Sequence, residues 1–445
     1  MVEGIKESTQ FKINELTLVT KGGNLDISSV YSEINIYDSL FTPVMSGNIV
    51  ITDSAGLAGK LLFDGSEVLL MDIAKTTDSE IASFKKSFRI YKQSDGKNTG
   101  QSASVFVLHF ISDEFIFSSQ QVVNQAFQCN YTKAVEVILL NYLKVPKTQL
   151  TGIYEQSYGI RQIVIPSLKP LEAIDWCSKR AVDLKQSPNF VFFQNISGYN
   201  FVTLSKLLSQ REVLDIKFGA KNLGGSNPLQ EMSSARAMQI VQQSNEAERI
   251  KTGVNAAKFI GFDPISKIIA NKNVGFGDVF NSMKHGNDTP NFSEITNRLG
   301  LSNSQMFDSK RVFSKFDAGK KFSNYVKEFE AAALSLDDNA EAYIVQRAML
   351  FGNLMSKRVR VLMPGNFQLS SGFNVNFEAP NFSKKEKGED SIDKSLSGRY
   401  MIVGSRHLIG RKTHETSIEI ATTSSGNDFI PVSNSQQNNQ VLSYA

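Results

Sequence analysis

The stretch Val30–Asp53, VYSEINIYDSLFTPVMSGNIVITD, most constrains what this chain can fold into. Its apolar residues recur at every second position: Ile34 and Ile36 in one run, Ile49 and Ile51 in the next, with Glu33 and Asn35 on the opposite face of the first. A period of two belongs to a strand with one face on a core, and winding it into a helix would scatter those side chains around the axis. Pro43 and Gly47 stand between the runs and mark a turn. This part of the chain reads as antiparallel β structure.

The same pattern continues over Phe11–Val19, Glu67–Ile73, Phe84–Lys92 and Ala103–Ile111, with turn signals at Gly22-Gly23, Asp64-Gly65 and Asp95-Gly96. In the last run Val105 and Val107 share one face while Phe106, Leu108 and Phe110 share the other, which predicts a strand covered on both sides. Residues 1–116 therefore read as a small antiparallel β-barrel. The period then changes. Val135, Ile138, Leu139 and Tyr142 fall at helical spacing before Pro146, and a second helix follows Pro170 with Leu171, Ile174, Cys177 and Ala181 on one face. With the hairpin Phe190–Gln194 and Tyr199–Leu204, residues 117–212 make an α+β middle domain.

A second β region opens near residue 213, with Ala237–Gln242 and Ala256–Phe262, and resumes in Arg358–Leu362, Val375–Phe377, Arg399–Ile409 and Thr416–Thr422. Residues 213–265 and 356–430 are taken together as a second barrel. Between them lies an insertion, 266–355. Its first part, 266–321, is rich in Asn, Ser, Gly and Lys, with Phe276, Phe280, Phe292, Phe307, Phe313 and Phe316 interspersed. A structureless run of that length is an anomaly inside one domain, so it reads as a segment packed along a neighbouring subunit or partner, with a disordered loop as the alternative. Its removal is expected to leave the barrels foldable and to block assembly. Helices are predicted over 322–334 and 339–355, the latter capped by Asp338 with Glu341. Ser383–Lys394 is a solvated loop, and 431–445 a flexible tail. The fold class is α+β and β-dominated: two small antiparallel barrels of tube type, a middle α+β domain and a helical and loop insertion.

The search for chemistry returns little. Lys and Arg number 48 against 44 Asp and Glu, a balance that gives no support to a dedicated nucleic-acid binder. Cys129 and Cys177 are far apart and read as small apolar residues. His407 and His414 flank the last hairpin, but a metal needs further ligands, and His414 in a turn reads as a solvated imidazole. His109 alternates with Val105 and Val107 and reads as a satisfied histidine of the core or of a lumen wall. Gly275-Phe276-Gly277 lacks the third glycine of a nucleotide loop, and Glu172 and Asp175 read as surface charges on a helix. No catalytic, cofactor-binding or metal-binding residue is assigned, and no cofactor. The beginning, MVEGIKESTQFKINELTLV, lacks the layout of a secretory signal, and no apolar run reaches the ~18 residues of a membrane span, so synthesis in the cytoplasm without a membrane anchor is expected.

Two passages carry a resemblance. IVIPSLKPLEAIDWCSKRAV followed by NFVFFQNISGYNFVTLSKLL places Pro166, Trp176, Gly198 and Tyr199 where baseplate hub proteins of contractile-tailed bacteriophages have a strand-ending proline, a helical tryptophan and a glycine–aromatic hairpin. SGRYMIVGSRHLI with ETSIEIA, after Pro364-Gly365, is similar to the second barrel of the same family, as Val30–Asp53 is to the first. The resemblance fades across 266–321. It implies a structural virion protein of the tail baseplate and no enzyme. As a homotrimeric hub ring it would join the sixfold tail tube to the threefold spike. The implied partners are other copies of the chain, the tail tube protein, the central spike, the baseplate wedge proteins and the tape-measure protein, with DNA passing through the lumen without specific binding. The alternatives are a tail-associated protein that degrades the cell envelope or binds glycans, and the equivalent hub of a phage-like injection particle. The single Trp, within a helix, argues against a sugar-stacking platform.

Overall fold

The computed structural model describes residues 11–53, 64–74, 83–98, 104–150, 155–218, 232–263, 268–287, 289–290, 294–315, 342–381 and 392–425. The alternating runs become β1 (Lys12–Thr20), β2 (Gly23–Asp26), β3 (Tyr31–Ser39), β4 (Ser46–Asp53), β5 (Val68–Ala74), β6 (Phe84–Asn98) and β7 (Ser104–Ile111). They lie side by side as β3-β4-β7-β6-β5-β1-β2. Their inward side chains, among them Leu16, Ile34, Ile36, Ile49, Phe88 and Phe110, form one core. At Gly47 a Cβ would sit 2.2 Å from the Asn35 carbonyl oxygen and 2.3 Å from the Phe110 ring, so β4 crosses β3 where only glycine fits. Two expectations are corrected here. β7 is covered on one face only, since Val105, Val107 and His109 are half-buried while Phe106, Leu108 and Phe110 are buried. Asp95-Gly96 is not a turn but a bulge inside β6, where the register with β7 shifts between Ser94 and Lys97.

The middle domain runs α1 (Asp113–Ser119), β8 (Ala126–Cys129), α2 (Tyr131–Val137), β9 (Arg161–Val164), α3 (Pro170–Arg180), β10 (Phe190–Asn195), β11 (Gly198–Thr203) and α4 (Leu204–Leu208). The Asn130 side chain caps α2 by accepting from the Lys133 amide at 2.8 Å, and Pro170 sits in the first turn of α3, where a missing N–H is harmless. The β10–β11 hairpin is buried on both faces. Phe190, Phe192 and Phe201 pack on Leu139, Ile174 and Cys177, while Val191 and Phe193 turn the other way, into a core shared with the insertion.

Beyond it come β12 (Glu212–Phe218), β13 (Ser234–Ala235), β14 (Ala237–Gln242), α5 (Glu246–Thr252), β15 (Ala256–Asp263), β16 (Ile268–Gly275), α6 (Phe276–Phe280), β17 (Thr289–Pro290), β18 (Arg311–Lys315) and α7 (Arg347–Leu354). The chain then continues as β19 (Arg358–Pro364), β20 (Asn374–Glu378), β21 (Gly398–Ile409), β22 (His414–Ala421) and β23 (Ser424–Ser425). Among these, β12, β20, β21, β22, β19 and β14 are neighbours in that order. The first unit's β1, β5, β6, β7, β4 and β3 follow the same path. In both sets the strands come along the chain as first, sixth, fifth, second, third and fourth of that path. No letters repeat between the halves, so the duplication lives in the topology. One pairing departs from it: β1 and β5 are antiparallel, β12 and β20 parallel.

The architecture is β-dominated α+β, and its two β units are not closed off from one another. β3 of the first pairs antiparallel with β21 of the second, from Gly404↔Ser39 to Ile409↔Ile34, which fuses both into one 14-stranded sheet. A further correction concerns Ala256–Phe262. It does not belong to the second β unit but forms β15, the middle strand of a separate three-stranded sheet with β16 and β18. The insertion therefore begins near α5. Its Phe276, Val279, Phe280 and Met283 are buried in one core with Leu40, Val191 and Met401, so removing 266–321 would open a core that both β units share. The helix expected over 322–334, its neighbour's cap at Asp338, most of Ser383–Lys394 and the tail 431–445 lie outside the described residues.

Candidate functional site

The two β units and the middle domain meet at one buried polar node. Period two puts Asp38 on the same inward face of β3 as Ile34 and Ile36, so a carboxylate enters the core. It accepts from the Ser371 amide at 3.1 Å, the Ser371 hydroxyl at 2.7 Å and the Ser405 hydroxyl at 2.8 Å, and from the Ser370 hydroxyl. Burial raises the Asp38 pKa above the usual carboxylate range, and the serine donors oppose that shift. The middle domain closes the node from the third side. Asn195 donates through Nδ2 to the Ser371 carbonyl at 2.9 Å, and its own carbonyl accepts from Lys86 Nζ at 2.7 Å. Burial pulls Lys86 down to about 8, with Asp38 pulling the other way. Gln194 accepts at Oε1 from the Met45 amide at 2.8 Å and the Ser112 hydroxyl at 2.6 Å, tying the hairpin to the first unit.

Around the node the β3–β21 seam is reinforced along its length. The Leu40 amide donates to the Val403 carbonyl at 2.9 Å, Arg406 Nε to Asn35 Oδ1 at 2.9 Å, and the Tyr31 hydroxyl to the Gly410 carbonyl at 3.1 Å. Phe367 of the second unit inserts into the first unit's core, its ring 5.3 Å from Phe84 and 4.6 Å from His414. His414 is thus not a solvated turn residue. It opens β22, is fully buried, and lies beneath the Pro364-Gly365 turn, where a Cβ on Gly365 would fall 2.1 Å from its ring. His407 Nδ1 lies 3.3 Å from His414 Nε2 and 3.1 Å from the Thr416 hydroxyl, and burial drops its pKa to about 3. The two rings are tilted at 46° with centroids 5.5 Å apart, and burial favours the neutral form of His407.

The remaining residues singled out in the sequence stay dispersed. His109 is half-buried and bonds Ser94 at 2.8 Å. His285 stacks on Phe280 with centroids 3.6 Å apart and bonds Thr423 at 2.9 Å. Cys177 is buried and Cys129 half-buried. Asp175 pairs with Lys179 across an exposed helical turn, and Gly275 merely precedes the short helix that buries Phe276. Among the described residues no three His, Cys, Asp or Glu side chains come together as a metal site, and no helix is long and apolar enough to cross a membrane. Sequence reasoning missed Asp38, Lys86, Ser370, Ser371 and Ser405. For Asp38 a signal existed, a carboxylate in register with two core isoleucines; the serines carry none.

No family profile matches the chain, and no curated protein sequence does. Solved structures do. The 43 kDa tail protein of prophage MuSo2 from Shewanella oneidensis superposes with a TM-score of 0.50 at 9% identity, covering 91% of this chain and 97% of that one. The tail protein from Neisseria meningitidis MC58 gives 0.49 at 10% identity over 93% and 96%. A component of the type VI secretion system of E. coli, described as similar to the T4 tail proteins gp27 and gp5, gives 0.43 at 8% identity over 95% and 79%. The first of these establishes the fold as that of a phage tail protein along nearly the whole chain.

Proposed function

We propose that this chain is a structural virion protein, the central hub of a contractile tail baseplate. In this reading it is not an enzyme and uses no cofactor. Three copies form a ring that joins the sixfold tail tube to the threefold spike, in contact with the wedge and tape-measure proteins, and the lumen passes DNA without specific binding. The chain is made in the cytoplasm of the host bacterium and ends in the tail. The observation that carries the reading is the seam: two β units of the same strand order, one from the first quarter of the chain and one from beyond the middle domain, continue each other edge to edge through β3 and β21. A protein that offers two like modules per copy meets a sixfold partner with six modules and a threefold partner with three copies. The tail-protein fold supports the same assignment. The outward face of β16–β15–β18 supplies a further contact surface, since Phe262, Ile269 and Phe313 stand exposed on it.

The test is an image reconstruction of intact tail ends together with the mass of the purified chain in solution. A threefold annulus of this protein between tube and spike, and a trimer in solution, are the expected results. A monomeric globule with no central passage would overturn the reading.

A further inference from the structure

The seam inside the chain specifies a second one that the chain by itself leaves open. β21 is long, and β20 accompanies only its first part, up to Met401↔Asn374. Val403 then bulges against β22, and from Gly404 onward the vacated edge is taken by β3. In the first unit β6 repeats this construction. β5 accompanies it only up to Arg89↔Val68, and Tyr91 bulges against β7 between Ile90↔Phe110 and Lys92↔His109. From Tyr91 to Gln93, among the described residues, no strand lies on the side that β5 has left. β14 in turn is the second unit's counterpart of β3. Ile36 faces Gly47, which faces Phe110, and Ile240 faces Val359, which faces Ile420, so Ile240 stands where Ile36 does. Among the described residues β14 has a neighbour only in β19.

Exposure tells the same story. Ile36 and Val403, on the filled seam, are 0% and 3% exposed, whereas their counterparts Ile240 and Tyr91 are 43% and 50% exposed. An apolar side chain on an unpaired strand edge is a ready site for another strand. We infer that the continuation of β14 through Gln243 and Ser244 in one copy pairs antiparallel with the Lys92–Gln93 edge of β6 in the next copy, repeating between chains the joint that β3 and β21 make within one. The joint is head-to-tail, uses two different edges of each copy, and closes into a ring. It rests on the ring reading above and adds the residues that hold the ring together.

The register follows by counting from the bulges. Ser405↔Asp38 within the chain corresponds to Gln93↔Gln243 between chains, and Gly404↔Ser39 to Lys92↔Ser244. Residues directly opposite in an antiparallel pair have Cα atoms about 4.5–5.5 Å apart, inside the range a disulfide spans. Gln93 and Gln243 are both exposed, so cysteines there spare the fold. The experiment oxidises Gln93→Cys/Gln243→Cys under mild conditions and compares it with each single variant and with the register-shifted Gln93→Cys/Gln239→Cys. The double variant is expected to convert most chains to covalent multimers that stop at the ring's copy number, with under a tenth converted in the controls. A second measurement, the sedimentation of Ile240→Lys, is expected to show association weakened at least tenfold with an unchanged circular dichroism spectrum. Rings that form without this cross-link and tolerate Ile240→Lys would overturn the joint and leave the ring reading standing. A chain that stays single both in solution and in tail ends would overturn both.

Discussion

Replacing Asp38 by alanine removes the acceptor on which four donors converge, three from the Ser370-Ser371 turn before β20 and one from Ser405 of β21. The three serine hydroxyls can rotate toward other acceptors, but the Ser371 amide cannot, and a buried donor left without a partner costs about 1–3 kcal/mol. Adding the small cavity left by the carboxyl gives a destabilisation of about 2–4 kcal/mol. Asparagine keeps one oxygen for Ser371 and Ser405 and should lose no more than about 1 kcal/mol. The assay is urea unfolding followed by two probes, circular dichroism for the sheet and the fluorescence of Trp176, which sits in the middle domain. Wild type should unfold with the two curves superimposed. In Asp38→Ala they should separate, because the node is one of the contacts that couple the middle domain to both β units. Equal stability of the alanine and asparagine variants, or curves that stay superimposed in both, would refute this account of the node.

Its pH dependence has a definite sign. Burial places the Asp38 pKa in the folded chain above its unfolded value, so the folded state holds that proton more tightly. The stability gained from it is complete below the unfolded pKa, about 4, and is lost as pH rises through the folded value. Asp38→Asn abolishes this component.

His407 predicts the opposite slope. Its folded pKa of about 3 lies below the ordinary histidine value, so its contribution is present above roughly pH 6.5 and is lost as pH falls toward 3. His407→Gln should flatten that limb in urea titrations, and an unchanged acid limb would show that the ring is not held neutral by burial. Gly365→Ala drives a methyl into the His414 ring and should cost more than about 2 kcal/mol by chemical denaturation. A loss below about 0.5 kcal/mol would mean that the Pro364-Gly365 turn yields easily.

How far the sequence could be read depended on the length scale of the signal. Strand existence was legible because alternation at Ile34, Ile36, Ile49 and Ile51 is local, and the helix after Pro170 for the same reason. Which strands pair was not. Ala256–Asp263 looks like any other strand, and only the partners Ile268–Gly275 and Arg311–Lys315 remove it from the second β unit. His414 was misread because a turn signal says nothing of what packs over it, here Phe367 from far along the chain. The seam and its node join Asp38 to Ser405, separated by most of the sequence, and no periodicity reports such a contact.

The two joints differ in one respect that bears on assembly. Within the chain the position opposite Ser405 is Asp38, and that carboxylate draws in Ser370 and Ser371 and, through Asn195, the middle domain. Between chains the corresponding position is Gln243, a neutral side chain with only one oxygen, opposite Gln93. Four hydrogen bonds converge on Asp38, each contributing about 0.5–1.5 kcal/mol, and a single amide oxygen cannot gather as many. The inter-copy joint is therefore the weaker of two otherwise like joints, held by its strand pairing and by the covering of Ile240 and Tyr91, which are exposed in the single chain. A ring built this way comes apart into intact chains before any chain comes apart internally. Dilution or mild denaturant should accordingly yield folded single copies, in which Trp176 fluorescence is unchanged while sedimentation falls to that of one chain. Loss of the ring coincident with unfolding of the chain would show that the two joints are equally strong and that the node adds nothing to the internal one.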